Sequence, residues 1–316
     1  MTSNTTTLRP ASEEDNSKRI LTAHEYRNVC DFINNYQGLP IDCEMELQDN
    51  YPQIQRLTLK AILQNELTNR MRSQYWRYDA NAQLYLDRYE QMSKNSPTDS
   101  SILLNIAREL RIGPAMMCRS LLKMKYDFNT KMQLTKLIRY PHLIEDPLLS
   151  ANVAQCLCSD SQDGPFIDLK RRVLGEEYEF KLKQRANEAG MHYYDENDLR
   201  RLGYDKTPDI KMILPFLYKG EVINWIESKA NFGDVKTHKW NIQQQLSSYC
   251  NRFGSGIIIY WFGYHESTAN LPDNSIGITV LDDFPAKCDI ELLDLSENLE
   301  SSLEQKVSNE TIEETT

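Results

Sequence analysis

The segment at 208–230, PDIKMILPFLYKGEVINWIESKA, is the feature of this chain that most constrains its fold. Two runs of strand-forming residues flank a Lys-Gly pair at 219–220, which is typical of a β-hairpin. Successive strand residues face opposite sides, so Glu227 and Lys229 lie on the same face as Trp225. The second strand begins apolar on both faces, as interior strands do. The hairpin therefore predicts an interior strand with an acid and an ammonium group at its end, where burial requires partners for both charges.

Asp209, at the start of the first strand, is the second acid of interest. It lies eleven residues before Gly220, whereas Glu227 lies only seven after it. A regular hairpin would not place the two carboxylates side by side, so the first strand needs a bulge or a bend. Pro208 cannot donate to a ladder, which favours a sheet margin or a bulge at this point.

Convergence of the two carboxylates would create a metal site. Asp209, Glu227 and the backbone carbonyl of Ser228 form an all-oxygen set that suits Mg²⁺ or Mn²⁺. Such an ion polarises a scissile phosphate and lowers the pKa of a bound water. Lys229 can orient that water or stabilise the charge that develops on the phosphate. The alternative is a surface hairpin with a cross-strand salt bridge.

Three spaced motifs resemble the PD-(D/E)xK nuclease superfamily: TPD at 207–209, IESK at 226–229, and QQQLSSY at 243–249 on a helix expected over about 235–252. The resemblance implies a restriction-endonuclease-like mixed sheet. In that family the Asp and the Glu, here Asp209 and Glu227, bind metal, and the Lys acts on the water. Some branches add a Gln-x-x-x-Tyr motif on the following helix, supplied here by Gln245 and Tyr249. Without the other motifs, ordinary helix packing would explain that last pair.

The same family tends to carry an acid on the helix that precedes the first strand. In GEEYEF three glutamates compete for that role: Glu176, Glu177 and Glu179. The resemblance therefore implies a further metal ligand, for which we favour Glu179 and then Glu177, because Glu179 lies beside the apolar stripe of the helix. A solvated helix face is the alternative for each of them.

A narrower resemblance covers most of residues 165–265. The stretches YDENDLRRLGYDKTPDIKM, INWIESKANFGD and SSYCNRFGSGIIIYWFG are similar to the codanin-interacting nucleases of animals. This resemblance implies a metal-dependent nuclease domain, a helix-turn-helix-like N-terminal half, and codanin as a protein partner in chromatin assembly and red-cell development. The acidic end of the chain departs from the family pattern.

The charge of the chain is unevenly distributed and marks its organisation. The net charge is −10, yet residues 291–316 carry eight acids against one base, and residues 108–139 carry eight bases against two acids. We predict a disordered tail at 1–20, a helical nucleic-acid-binding region at 21–160, a nuclease domain at 165–290, and a disordered acidic tail at 291–316.

The basic stretch contains helix-turn-helix spacing. A helix at 102–110 meets a turn at Gly113, and Pro114 can open the next helix without losing an internal hydrogen bond. In that motif the second helix presents its start to a nucleic-acid groove. The basic residues that could reach phosphates are Arg111, Arg119, Lys123 and Lys125. A plain helical hairpin with a solvated basic face is the alternative.

Composition excludes some classes of protein and leaves others open. No apolar run approaches the roughly 20 residues of a membrane helix. Seven scattered cysteines fit the nucleus and the cytoplasm. The leading hypothesis is a nuclease that acts on nucleic acid, DNA in preference to RNA. Two alternatives remain: a catalytically silent adaptor with a nuclease fold, and a helix-turn-helix protein that binds DNA without cutting it.

Overall fold

The computed structural model describes residues 18–126, 131–160 and 162–293. Helices dominate up to residue 188, and strands occur only after it within this described part. The α-helices in chain order are α1 Ala23–Asn35, α2 Pro40–Asn50, α3 Arg56–Ala80, α4 Ala82–Asn95, α5 Ile102–Leu110, α6 Pro114–Lys125, α7 Lys131–Arg139, α8 Pro147–Ser159, α9 Pro165–Glu188, α10 Glu196–Arg201, α11 Val235–Asn241, α12 Ser247–Phe253 and α13 Glu266–Ala269. The strands are β1 Tyr193–Asp195, β2 Ile210–Tyr218, β3 Glu221–Lys229, β4 Gly256–Tyr260, β5 Ile278–Leu281 and β6 Ile290–Leu292.

The six strands form one mixed sheet in the order β1-β2-β3-β4-β5, with β6 paired to the far end of β2. The pairs β1/β2 and β2/β3 are antiparallel, whereas β3/β4 and β4/β5 are parallel. Every residue of β4 is buried, as its apolar sequence GIIIY requires. The prediction of a helical region followed by a mixed sheet is confirmed. The restriction-endonuclease-like assignment stays a prediction.

The β2–β3 hairpin has both features that its sequence predicted. Lys219 and Gly220 adopt φ of 49° and 84°, the left-handed backbone of a tight two-residue hairpin turn. Lys211 pairs with Trp225, but Phe216 already pairs with Ile223, so β2 uses three more residues than β3 over this interval. The bulge shifts the strand register so that Ile210 pairs with Ile226. Asp209 therefore lies beside Glu227, which a regular hairpin with this turn would not allow.

The apolar residues form two large clusters that do not follow the predicted division at 160–165. Helices α1, α2 and α3 pack in the same cluster as the sheet, where Ile33 and Leu47 share a core with Ile226 and Ile257. Helices α4 to α8 form a second cluster around Ile106. An amphipathic stripe shows that a helix packs, but not on which partner. The region at 21–160 is therefore divided between two cores.

The described structure extends into both of the predicted tails. The backbone N–H of Lys18 donates to the carbonyl of Gln53 at 2.9 Å, and Leu21 is wholly buried. At the other end, residues 290–292 form β6 against β2. The rest of the predicted tails, residues 1–17 and 294–316, lies outside the described part of the chain.

Candidate active site

The bulge in β2 places the two predicted acids on adjacent strands. The backbone N–H of Asp209 donates to Glu227 Oε2 at 3.3 Å, and the N–H of Ser228 donates to Asp209 Oδ2 at 2.6 Å. Glu227 is buried, with only 4% of its side chain exposed, and Asp209 is half-buried. Each carboxylate is thus held by a backbone N–H of the strand that carries the other one.

Lys229 joins this pair from the end of β3. Its Nζ lies 2.6 Å from Glu227 Oε1 and donates to Gln245 Oε1 at 2.9 Å. The side chain of Lys229 is 21% exposed, so most of it is covered. Four of the predicted residues, Asp209, Glu227, Lys229 and Gln245, therefore meet at one site.

Gln245 reaches the site from an unusual helical segment. The predicted helix at 235–252 forms, but Ile242–Leu246 is a π-helix between α11 and α12. A π-helical turn is wider than an α-helical one, and such turns are frequent at functional sites. The sequence did not indicate this turn.

Tyr249 positions the backbone before Asp209 rather than touching its carboxylate. Its buried hydroxyl donates to the carbonyl of Thr207 at 2.8 Å, and its ring lies edge-on to Trp225. Lys206, which sequence reasoning missed, donates from Nζ to the carbonyl of Gln244 at 2.8 Å. Its place directly before the TPD motif was the only available signal. Together these contacts fasten the TPD segment to the helical turn that carries Gln245.

The electrostatics of the site favour a charged lysine and oppose a charged Asp209. Burial, and next the nearby carboxylate of Glu227, raise the pKa of Asp209 well above its ordinary value. Burial opposes the charge of Lys229, but attraction to Glu227 and the hydrogen bond between them outweigh it and raise the pKa of Lys229. The site is therefore short of positive charge.

The two helix glutamates differ in their relation to this site. Burial, and then repulsion by Glu196 and Glu227, raise the pKa of Glu179, which is half-buried on α9. Glu177 is exposed, and its charge acts on Tyr178 and Lys181, away from the acids. The two glutamates point to different sides of α9, because residues two apart on an α-helix are about 200° apart around its axis. The preference for Glu179 over Glu177 as a metal ligand stays a prediction.

The donors at the site fit a hard divalent cation. Asp209, Glu227 and the neighbouring peptide carbonyl of Ser228 provide oxygen only, the donor type of Mg²⁺ and Mn²⁺. Within residues 18–126, 131–160 and 162–293 no three His, Cys, Asp or Glu side chains come together as a metal-binding group. Glu179 as a further metal ligand stays a prediction. A two-carboxylate site suits Mg²⁺, which keeps several waters and binds substrate phosphate.

The helix-turn-helix prediction is right about the hairpin and wrong about its exposed face. Helix α5 ends at Leu110 and α6 begins at Pro114, as predicted. The start of α6 does not face solvent, because Pro114 to Cys118 are all buried and Asp160 caps the N–H of Ala115. A recognition helix needs that start free to enter a groove.

The four basic residues of this hairpin differ in exposure and in their partners. Arg111 is exposed at the left-handed end of α5, and Arg119 and Lys125 are half-buried. Lys123 pairs with Asp79 on α3, with 2.6 Å between Nζ and Oδ2. The apolar content of α6 buries the helix, so its basic side chains emerge only at the margins.

A comparison with known protein families matches the part of the chain that contains the site residues of the β2–β3 hairpin. A family model described as a protein of unknown function with a TPD sequence motif matches residues 145–284. Thr207, Pro208 and Asp209 spell that motif within the matched range. No solved structure matches the chain significantly.

Curated relatives cover most of the chain. The protein named CDAN1-interacting nuclease 1 from Danio rerio is 33% identical over 280 residues, which are 86% of this chain and 92% of the relative. The Xenopus laevis protein of the same name is 34% identical over 272 residues, 84% and 88% of the two chains. The human protein is 32% identical over 227 residues, 69% and 80% of the two chains.

The fold and the site define the class of this protein: a mixed α/β protein whose bulged hairpin holds two carboxylates and a lysine at the ends of two interior strands. Within that class, the chain belongs to the CDAN1-interacting nuclease 1 family. None of the helices in the described part is long and apolar enough to cross a membrane.

Proposed function

We propose that this protein hydrolyses phosphodiester bonds of nucleic acid at the site of Asp209, Glu227 and Lys229, with Mg²⁺ or Mn²⁺ as cofactor. The observation that carries the proposal is the bulge in β2, which brings Asp209 beside Glu227 against the register of a regular hairpin. A salt bridge on a surface hairpin would need neither the bulge nor the burial of Glu227. The word nuclease in the relatives' names supports the same conclusion.

Each residue has a distinct part in this reaction. Asp209, Glu227 and the Ser228 carbonyl would hold the cation, which when bound supplies Lewis-acid polarisation of a phosphoryl oxygen. Lys229 stays charged at neutral pH because its pKa is raised, so it can stabilise negative charge that develops on the phosphate. Gln245 fixes the position of Nζ, and Tyr249 fixes the backbone before Asp209.

The site also supports a wider set of proposals. We infer that the chain belongs to the PD-(D/E)xK superfamily, because it combines a TPD-type turn, an E-x-K strand and a Gln-x-x-x-Tyr helix in this order. The relatives' names indicate interaction with CDAN1, so we infer a codanin-type partner for this chain. Action on nucleic acid, DNA before RNA, in the nucleus and the cytoplasm accords with both inferences.

Cleavage of labelled DNA and RNA by purified protein tests the proposal. Single-stranded, duplex and branched substrates are incubated with Mg²⁺, with Mn²⁺, or with chelator. We expect metal-dependent cleavage by the wild type, a loss of at least about 100-fold in Glu227→Gln, and no change in Glu177→Gln, the matched exposed acid. If the wild type cuts nothing while still binding codanin, the adaptor function replaces the nuclease.

A further inference from the structure

A polar groove lies between α3, α11 and the end of β3, apart from the acid pair. We call it the α3–α11 groove and define it by Asn65, Asn69, Arg72, Asn231, Lys236 and Trp240. It differs from the other features of the chain because it combines amides, cations and an aromatic ring. None of the side chains that line it is acidic.

The groove is electropositive in an acidic protein. Arg72 and Lys236 are exposed, and in the described part of the chain neither makes an ion pair. The nearby carboxylate of Asp234 is buried, where it accepts hydrogen bonds from Asn65 Nδ2 at 2.7 Å and from the Thr237 N–H at 2.9 Å. Two free cations therefore face the groove against a net charge of −10 for the whole chain.

Trp240 presents an uncovered aromatic ring beside these cations. It is 53% exposed, and no ring or cation contact to it occurs among the described residues. Indole rings are mostly covered in folded proteins, so an exposed one indicates a binding surface. Asn231 adds a side-chain oxygen, Oδ1, that is shielded from solvent and lacks a hydrogen-bond partner in the described structure. Of these two groups, the Trp240 ring is open to a ligand in the structure as it stands.

The groove shares no lining residue with the acid pair, but two segments connect the two places. Asn241 lines the groove and precedes Gln245 by four residues on the same helical stretch. Asn231 follows Lys229 by two residues, and its N–H donates to the Lys229 carbonyl at 2.8 Å. The groove and the acid pair are therefore joined by two short segments, 229–231 and 241–245.

We propose that the α3–α11 groove binds a single-stranded segment of nucleic acid, so that the substrate class of this protein is a single strand or the unpaired arm of a branched structure. This proposal rests on the proposed function. An unpaired base stacks on Trp240, Arg72 and Lys236 contact phosphates, and the amides contact sugars or base edges. Within a duplex no base offers a free face to Trp240, because each internal base pair is stacked on both sides.

The test measures binding without cleavage. Labelled single-stranded DNA and RNA, and a blunt duplex of the same sequence, are titrated with wild type and variants in the presence of chelator. We expect Trp240→Ala to weaken single-strand binding roughly 5- to 150-fold, the range for loss of one stacked base. The affinity is also measured at several salt concentrations, and the slope of log K against log salt concentration is determined. In the double variant Arg72→Ala with Lys236→Ala, the magnitude of this slope should fall by about 1.4, or about 0.7 for each lost phosphate contact.

Trp76→Ala is the matched control. Trp76 is another exposed tryptophan on α3, 65% exposed and beside Arg77, but it does not line the groove. Its substitution should leave binding unchanged. Equal effects of the two tryptophan variants, preferential binding of the blunt duplex, or an absence of single-strand binding would each overturn the groove proposal.

The two proposals fail separately. Loss of binding in Trp240→Ala supports the groove even where Glu227→Gln cleaves as well as wild type. Cleavage that depends on Glu227 but is indifferent to Trp240 supports the active site and removes the groove. An acidic peptide that binds the groove while single strands do not would also overturn the proposal.

Discussion

Helix α6 and the β2–β3 hairpin carry the same kinds of charge and use them in opposite ways. Eight of the twelve residues of α6 are buried, and its paired lysine, Lys123, is 59% exposed. At the hairpin, Glu227 is 4% exposed and Lys229 21%. Basic density in the sequence therefore did not mark an open basic surface. The charges of the hairpin are instead held largely away from water by hydrogen bonds.

The two regions also differ in what their packing does for stability. Burial of α6 removes apolar surface from water, which stabilises the fold at little polar cost. The hairpin places two carboxylates against each other with one ammonium group, and the raised pKa of Asp209 shows the unfavourable side of that arrangement. Such a cluster is characteristic of functional sites, where stability is exchanged for activity.

The largest expected effect tests the ion pair of the hairpin. Lys229→Met leaves Glu227 buried and unpaired, which should lower the free energy of unfolding by about 3–5 kcal/mol at pH 7 in urea titration. The pKa of Lys229 is raised above 10.5, so this contribution is complete below about pH 10 and is lost as pH rises through the folded value. Lys239→Met, at an exposed pair with Asp273, should change stability by less than about 1 kcal/mol. Equal losses in the two variants would contradict the comparison.

The second effect tests the core around α6. Leu121 is wholly buried in the cluster of α4 to α8, so Leu121→Ala should cost about 2–5 kcal/mol. Cleavage per folded molecule should not change, because that cluster contains no residue of the acid pair. Denaturation and cleavage measured on the same sample distinguish a loss of stability from a loss of activity. A loss of cleavage per folded molecule would show that this core influences the acid pair.

Asp209→Asn should raise the free energy of unfolding, in contrast to the preceding variants. The asparagine oxygen can still accept from the Ser228 N–H while the repulsion by Glu227 disappears, so we expect a gain of about 0.5–2 kcal/mol at pH 7 together with loss of cleavage. A carboxyl with a raised pKa favours folding below its ordinary value of 3.8 and loses that contribution as pH rises. The gain should therefore vanish near pH 3.8. A destabilised variant at pH 7 would show that the charge of Asp209 supports the fold.

A smaller effect tests how the TPD segment is held. Tyr249→Phe removes the hydrogen bond to the Thr207 carbonyl and should cost about 0.5–1.5 kcal/mol. Cleavage should fall about 10-fold, because the backbone before Asp209 loses its anchor. The control is Tyr89→Phe, since the buried hydroxyl of Tyr89 has no hydrogen-bond partner in the described structure. That variant should keep both stability and activity.

The smallest expected effect concerns the basic hairpin. Arg119→Ala and Lys123→Ala should alter nucleic-acid affinity by less than about two-fold, because the start of α6 is buried and Lys123 pairs with Asp79 at the surface. A fluorescence titration in chelator measures this. If these two variants lose binding strongly while Trp240→Ala does not, the hypothesis of a helix-turn-helix protein that binds DNA without cutting it would be favoured.

Local patterns determined much of this architecture from sequence alone. The turn at 219–220, the boundary between α5 and α6, the interior strand GIIIY and the need for a bulge in β2 all follow from rules that act over a few residues. The choice of Asp209, Glu227, Lys229 and Gln245 as neighbours followed from spacing and family resemblance. Such features can be predicted from sequence because backbone geometry and the alternation of side chains along a strand determine them within one element.

Only the tertiary structure decided which surfaces these elements present. Periodicity shows that α3 and α6 have apolar faces, but not that α3 joins the sheet while α6 is enclosed by helices. The structure joins residues that are separated in the chain: Gln245 with Lys229 through the π-helical turn, and Tyr249 with Thr207. It also places Arg72 and Trp240 in the lining of one groove. Packing of several elements together sets those contacts, because each element alone could satisfy its apolar face in more than one way.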